Sequence, residues 1–228
     1  MTDHVNYDDY RPKEVPTCDE SWAENELSII ADLNQIVNGP VEGNYCFKHE
    51  TVLNKDSVPI KERSWKREFL RRSIKNSKVA LEIGFNAGHS ATIMLCANPN
   101  LKLMTIDMCR YPYTLKCADY LSNKFPGRFG LFKGTSQEVL RNKKSTLDFD
   151  FIHIDGGHGI ADFYFDVDWS EKNLKKDGLL LIDDAFLPDY LKYIGYKVQQ
   201  EVFREVHPTG MKSSGENMLL QKIAGGLK

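Results

Sequence analysis

Three carboxylates, Asp155, Asp183 and Asp184, stand at the ends of two short apolar runs, 149–154 and 179–182. If both runs are neighbouring strands of one sheet, their tips bring the acids together, and charges so placed repel unless a cation lies between them. An all-oxygen, hard donor set suits Mg2+, with Mn2+ or Ca2+ as alternatives, and does not suit structural zinc. A divalent ion there would lower the pKa of a bound hydroxyl and hold its oxygen in line for a displacement. His158 follows Asp155 by three residues, and an imidazole near its ordinary pKa is a competent base at neutral pH. A loop hydrogen bond accounts for His158 nearly as well, and loop capping is the plain structural role for the three acids. His153, inside the first run, reads as a buried, hydrogen-bonded residue.

A second constellation covers 79–90, Val-Ala-Leu-Glu-Ile-Gly-Phe-Asn-Ala-Gly-His-Ser. The apolar start suits a buried parallel strand, and the glycines let the backbone of a tight turn approach a ligand. The helix that follows offers free N–H groups. A dinucleotide fingerprint fails because Asn86 stands where the second glycine belongs, and a P-loop fails because His89 follows Gly88. What remains is Glu82 followed by G-x-x-x-G at Gly84 and Gly88. A glycine turn of some other α/β protein is the plainer alternative. Asp107 closes the next apolar run, where an acid can accept hydrogen bonds from ribose hydroxyls or cap a helix.

The 79–90 segment resembles the first motif of class I S-adenosylmethionine-dependent methyltransferases. Residues 133–138, Lys-Gly-Thr-Ser-Gln-Glu, resemble the G-A-S-Q-D element of catechol-type O-methyltransferases. Asp-Gly-Gly-His (155–158) and Leu-Leu-Ile-Asp-Asp (180–184) match the layout of the metal-dependent branch, so the resemblance runs from about 79 to 185. It implies S-adenosylmethionine as cofactor, with Glu82, Gly84, Phe85, Asn86, Gly88 and Ser90 at its methionine end. It implies Asp107 and Met108 at the ribose, Thr135, Ser136 and Gln137 at the adenine, and Asp155 beside the cofactor. Asp155, Asp183 and Asp184 become the metal ligands, with Asp155 and His158 catalytic. His158 replaces the lysine of the catechol enzymes, and Asp-Asp replaces Asp-Asn. In both respects the chain is more similar to enzymes of macrolide and cephamycin pathways. The expected acceptor is therefore a sugar or natural-product hydroxyl rather than a catechol.

These residues need a scaffold to bring them together. Apolar runs alternate with helical stretches from residue 79 to the end, which implies right-handed βαβ units. The expected fold is α/β, a doubly wound, mainly parallel seven-stranded sheet with helices on both faces, the Rossmann-like methyltransferase fold. Its ligands sit beyond the carboxyl ends of the strands. Residues 61–228 form the expected catalytic domain. Residues 1–60 form an N-terminal arm, a helix and the aperiodic 41–59 segment, which with Tyr45, Phe47 and His49 reads either as an active-site lid or, at least as well, as a plain connecting loop; Tyr111, Phe186 and Tyr190 complete the expected pocket wall. Thr17 and Glu20 make a capping-box pattern that opens the N-terminal helix, with Leu27, Ile30, Leu33 and Ile36 as its stripe and Asn38-Gly39-Pro40 as its stop. A second helix over 60–78 carries Lys61, Arg63, Lys66, Arg67, Arg71, Arg72, Lys75 and Lys78. It is expected to be a solvated basic face, with Trp65, Phe69 and Ile74 turned inward.

The 30 basic and 32 acidic residues give a net charge of −2, which disfavours nucleic acid as the default partner. No apolar run reaches membrane-span length, and the polar N-terminus does not suit a signal peptide. Five cysteines without a C-x-x-C pair read as reduced thiols, so a cytoplasmic chain is expected. A small hydroxylated substrate is the expected partner, and a homo-oligomer stays open. The alternatives are an RNA or protein methyltransferase using the basic 61–78 helix, or a non-catalytic adenosine-ligand-binding protein.

Overall fold

The computed structural model describes residues 12–141, 148–157 and 159–223. Most of the expected N-terminal arm, and His158, lie outside the described residues. Helix α1 (Glu26–Val37) is followed by a short antiparallel pair, β1 (Pro40–Val41) with β2 (Thr51–Val52). A 3-10 turn over Lys61–Arg63 leads into α2 (Ser64–Ile74). From there strands and helices alternate: β3 (Val79–Ile83), α3 (His89–Ala97), β4 (Lys102–Asp107), α4 (Thr114–Lys124), β5 (Phe129–Lys133) and α5 (Ser136–Leu140). The second half runs β6 (Phe149–Ile154), α6 (Ile160–Asn173), β7 (Leu174–Ile182), α7 (Pro188–Gln199), β8 (Phe203–Val206) and β9 (Met218–Lys222).

The large sheet has seven strands in the order β5-β4-β3-β6-β7-β9-β8. All neighbours are parallel except β9, which runs antiparallel to both β7 and β8. Strand order reverses at β3, so the crevice at the carboxyl ends of β3, β4 and β6 is where such a sheet receives a ligand. The alternation of strand side chains sorts them into two cores. Ala80, Leu103, Phe151, Leu181 and Leu219 face the side with Leu33 of α1, Phe69 of α2, Ile93 of α3 and Leu121 of α4. Leu81, Ile152, Leu180 and Leu220 face Phe163 and Val167 of α6 and Ile194 of α7. The same parity puts Glu82, His153 and Asp183 on the first side, under α2.

Two expectations change. Thr17 and Glu20 do not open a helix; α1 begins at Glu26, after a left-handed Asn25. The Glu20 carboxylate instead receives hydrogen bonds from Arg67 at 2.7 and 2.5 Å and from Arg71 at 2.9 Å. Helix α7 stops at Gln199, and the left-handed Glu201 turns the chain so that buried Phe203 starts a strand. The basic helix is a solvated face only in part: Arg63, Lys66, Arg67 and Arg71 are buried, while Lys61, Arg72, Lys75 and Lys78 are exposed. The buried four pair with Glu216, Asp183, Glu20 and Glu26 at 2.5–3.0 Å. The four buried side chains are not available to RNA. No helix among the described residues is long and apolar enough to cross a membrane, and all five cysteines are free thiols.

Candidate active site

The glycine turn after β3 is shaped by its closest neighbours. Gly84 has φ +97°, and a Cβ there would lie 1.9 Å from the Asp155 carbonyl oxygen at the end of β6. Only glycine lets these two strand ends come so close. Gly88, at φ +81°, precedes α3, and a side chain there would strike the Phe85 ring at 2.6 Å. Asp107, the last residue of β4, holds the turn: its Oδ2 accepts from the N–H groups of Phe85 at 2.9 Å and Asn86 at 2.8 Å. Its Oδ1 accepts from Cys109 N–H at 2.6 Å. Tyr113 donates its hydroxyl to Asn86 Oδ1 at 2.7 Å, fixing the left-handed Asn86.

These elements border a cavity of about 760 Å³ at the carboxyl ends of the strands. Of the residues expected at the site, Gly84, Phe85, Asn86, Ser90, Asp107, Met108, Thr135, Ser136, Asp155, Asp183 and Asp184 line it. Glu82, Gly88 and Gln137 are not among the lining residues. Glu82 is fully buried beneath the turn and reaches the cavity wall through Ser90, whose Oγ donates to it at 2.6 Å. Gln137 is held sideways, donating to Asp162 at 2.8 Å and accepting from Arg141 at 2.9 Å. Thr135 caps α5, accepting from Glu138 N–H at 3.1 Å in a complete capping box. Glu42, Gly43, Asn44 and His49 contribute a wall from the 41–59 segment, as does Tyr111. Phe186 and Tyr190 belong to the second core instead, Tyr190 stacking on Phe163 with centroids 3.6 Å apart.

The carboxylate cluster has a cation beside it, and that cation comes from α2. Lys66 Nζ lies 2.6 Å from Asp183 Oδ2 in a pair buried on both sides. Asn217 Nδ2 donates to Asp183 Oδ1 at 3.1 Å and to the Tyr45 hydroxyl at 2.9 Å. The Tyr45 hydroxyl meets His153 Nε2 at 2.9 Å, and His153 Nδ1 meets Glu82 Oε1 at 3.2 Å. A hydrogen-bonded chain Asn217–Tyr45–His153–Glu82 thus runs behind the carboxylates. Burial pushes the Asp155 carboxyl well above its ordinary value, and the negative Asp183 beside it adds to the effect. Burial pushes Asp183 the same way but is outweighed by the Lys66 ammonium, which helps hold it down to about 2. Burial also acts against the charged form of Lys66, yet Asp183 raises its pKa above the ordinary lysine value, so it stays protonated.

This arrangement bears on the divalent ion expected from the sequence. Asp155, Asp183 and Asp184 do lie together at the cavity, but each Asp183 oxygen already serves an internal donor. A protonated amine lies against Asp183, and it would repel a divalent cation bound beside the same carboxylates. Among the described residues no group of three or more histidine, cysteine, aspartate or glutamate side chains is arranged to hold a metal. The donor set does not fit a resident divalent ion. Tyr45 belongs to the 41–59 segment expected to cover the site, whereas Lys66 and Asn217 were not legible as site residues, since each lies far along the chain from the motif it joins.

A family model described as a methyltransferase domain matches residues 81–185. No curated protein matches the sequence. Among solved structures, a Klebsiella pneumoniae protein assigned to the O-methyltransferases aligns with a TM-score of 0.62 at 14% identity, over 90% of this chain and 92% of that one. An O-methyltransferase from Bacillus cereus, solved in complex with S-adenosylhomocysteine, aligns with a TM-score of 0.59 at 15% identity over 88% and 91%. The Streptomyces achromogenes O-methyltransferase TomG of tomaymycin synthesis, solved with S-adenosylmethionine, aligns with a TM-score of 0.58 at 16% identity over 92% of both chains. At these identities the likeness is one of fold. Residues 81–185 thus match a methyltransferase domain, and the fold around them is the one these solved O-methyltransferases share.

Proposed function

We propose that this chain binds S-adenosylmethionine in the cavity beyond β3, β4 and β6 and transfers its methyl group to a hydroxyl of a small molecule. The observation that carries this reading is the convergence of the Gly84–Gly88 turn, Asp107, Ser136 and Asp155 on one cavity at the reversal of strand order. The turn and Ser90 would receive the methionine end. Asp107 would take the ribose, keeping lone pairs beyond its three backbone partners. Ser136 would lie against the adenine. The 41–59 wall, with His49, would bound the acceptor as the inner side of an N-terminal extension over residues 1–60. The solved relatives bound to S-adenosylmethionine or its demethylated product support the cofactor, and their O-methyltransferase descriptions support the hydroxyl.

In the transfer, a lone pair of the acceptor oxygen forms the new O–C bond. The pair of the breaking S–CH3 bond stays on sulfur, turning the sulfonium into a neutral thioether. The hydroxyl proton passes to His158, the base that the sequence places three residues past Asp155. Calorimetric titration of S-adenosylhomocysteine tests the cofactor half. Wild type is expected to bind, and Asp107→Ala to bind about tenfold more weakly, a loss of about 1.4 kcal/mol. A folded wild type that binds neither cofactor form overturns the reading. Turnover over a panel of sugars, phenols and polyketide alcohols, with its loss in His158→Ala, separates an enzyme from a binder of adenosine ligands.

A further inference from the structure

We propose that the Lys66 ammonium is the resident cation of this site, in the place a divalent ion would hold, and that it receives the acceptor oxygen directly. The catalytic half of this inference rests on the methyl-transfer reading; the cation half does not. Lys66 is 4% exposed and lines the cavity together with Asp155, Asp183 and Asp184. Its Nζ makes one ion pair, with Asp183 Oδ2 at 2.6 Å, and lies 4.5 Å from the centroid of the Tyr45 ring. An ammonium has three N–H donors, and Asp183 is its one hydrogen-bond acceptor among the described residues. A buried amine with donors to spare, at the wall of a ligand cavity, points to an oxygen of the ligand. Asn217 and Tyr45 brace the pair from behind, so the ammonium has a fixed position.

The substitution has a chemical consequence. A divalent ion can chelate two vicinal oxygens, whereas an ammonium makes single, directional hydrogen bonds and carries half the charge. This site is therefore built for one hydroxyl at a time, not for a vicinal pair. Negative charge that builds on the acceptor oxygen as its proton leaves is met by a group already oriented by Asp183.

The test is Mn2+ titration of the full chain, read by electron paramagnetic resonance and calorimetry, with S-adenosylhomocysteine binding measured in parallel. Wild type is expected to take up no Mn2+ at this site and to lose no turnover after exhaustive chelation. Lys66→Ala removes the amine, and Lys66→Met keeps the packing while removing the charge. At least one is expected to gain a single Mn2+ site that disappears when Asp183→Asn is added. Methyl transfer by Lys66→Met is expected to fall about 100-fold in kcat with little change in cofactor affinity. Wild type binding one Mn2+ in a manner lost with Asp183→Asn overturns the proposal. So does turnover that chelation abolishes and Mg2+ restores, and so do folded variants of which neither gains a site. The wild-type titration decides even where neither variant folds. Because cofactor binding is read separately, a failed methyltransferase reading shows as absent S-adenosylhomocysteine binding and not as a metal result.

Discussion

Gly84 carries the closest backbone approach in the site, and its replacement is the sharpest test at the scale of one residue. In Gly84→Ala the new methyl meets the Asp155 carbonyl oxygen at 1.9 Å, and φ +97° is itself unfavourable for alanine. The β3 and β6 tips must part, so cofactor binding is expected to vanish in calorimetry and the melting temperature to drop. A second residue-scale prediction concerns pH. Burial pushes the Asp166 carboxyl up to about 7 and pushes the His89 imidazole down to about 3. Folded Asp166 binds its proton more tightly than the unfolded chain, so its contribution is present at low pH and lost as pH rises towards 7. His89 is the reverse: the unfolded chain takes the proton below about 6.5, so stability is lost as pH falls. Between about pH 4 and 6.5 the two slopes oppose, each at up to about 1.4 kcal/mol per pH unit. Asp166→Asn leaves His89 alone, so its stability by urea denaturation is expected to climb more steeply with pH over that window than wild type's. Parallel curves would refute this assignment. At this scale the sequence was most readable where a residue's demand is local. Gly84 and Gly88 follow from a turn, and the acids Asp107, Asp155 and Asp183 follow from the ends of apolar runs. Glu82 reads as a ligand contact, but its burial depends on a covering helix that local spacing does not reveal.

Helix α2 shows what an element can conceal. Its basic residues are spaced like a solvated face, yet the acids they meet are remote: Glu20 lies 47 residues from Arg67, Asp183 117 from Lys66, and Glu216 153 from Arg63. Periodicity within the helix carries no information about such partners. Glu20, spaced from Thr17 like half of a capping box, meets Arg67 and Arg71 instead, partners that local spacing does not reveal either. The physical consequence is a helix docked by ion pairs across its inner face, with Phe69, Leu70 and Ile74 supplying apolar contact. Arg67→Ala leaves Glu20 short of a partner and strips hydrogen bonds from the Tyr45 and Ile60 carbonyls. Breaking a buried pair from one side costs about 3–5 kcal/mol. Arg72→Ala, on the outer face with a half-exposed pair to Glu68, is expected to cost no more than about 0.5 kcal/mol. Urea denaturation of the two variants checks the contrast; equal small losses would mean that the inner pairs do not hold the helix. Because Tyr45 and Lys66 both touch this docking, Arg67→Ala is also expected to weaken the acceptor side of the site more than the cofactor side.

Across the whole molecule the formal charge is nearly balanced, but the cavity is not. Seven carboxyl groups line it against three lysine or arginine side chains. Two of those three, Arg63 and Lys66, are already paired with Glu216 and Asp183. Even with Asp155 and Asp166 holding protons, acids outnumber bases around the ligand. The doubly wound sheet produces this imbalance by closing neighbouring strands with acids at one edge, a pattern that apolar runs ending in Asp107, Asp155 and Asp183 already displayed. What the pattern could not display was the charge brought back by α2. The resulting field discriminates between the two forms of the cofactor, which differ by the methyl group and the positive charge on sulfur. A net anionic cavity attracts the sulfonium more than the neutral thioether, and added salt screens that extra attraction. S-adenosylmethionine affinity is therefore expected to fall by about fivefold relative to that of S-adenosylhomocysteine between low salt and about 0.5 M salt, on the order of 1 kcal/mol. Paired calorimetric titrations measure it directly. If both affinities moved in parallel, the cavity acids would not be acting on the sulfur, and the field would have to be balanced by the bound ligand's own groups.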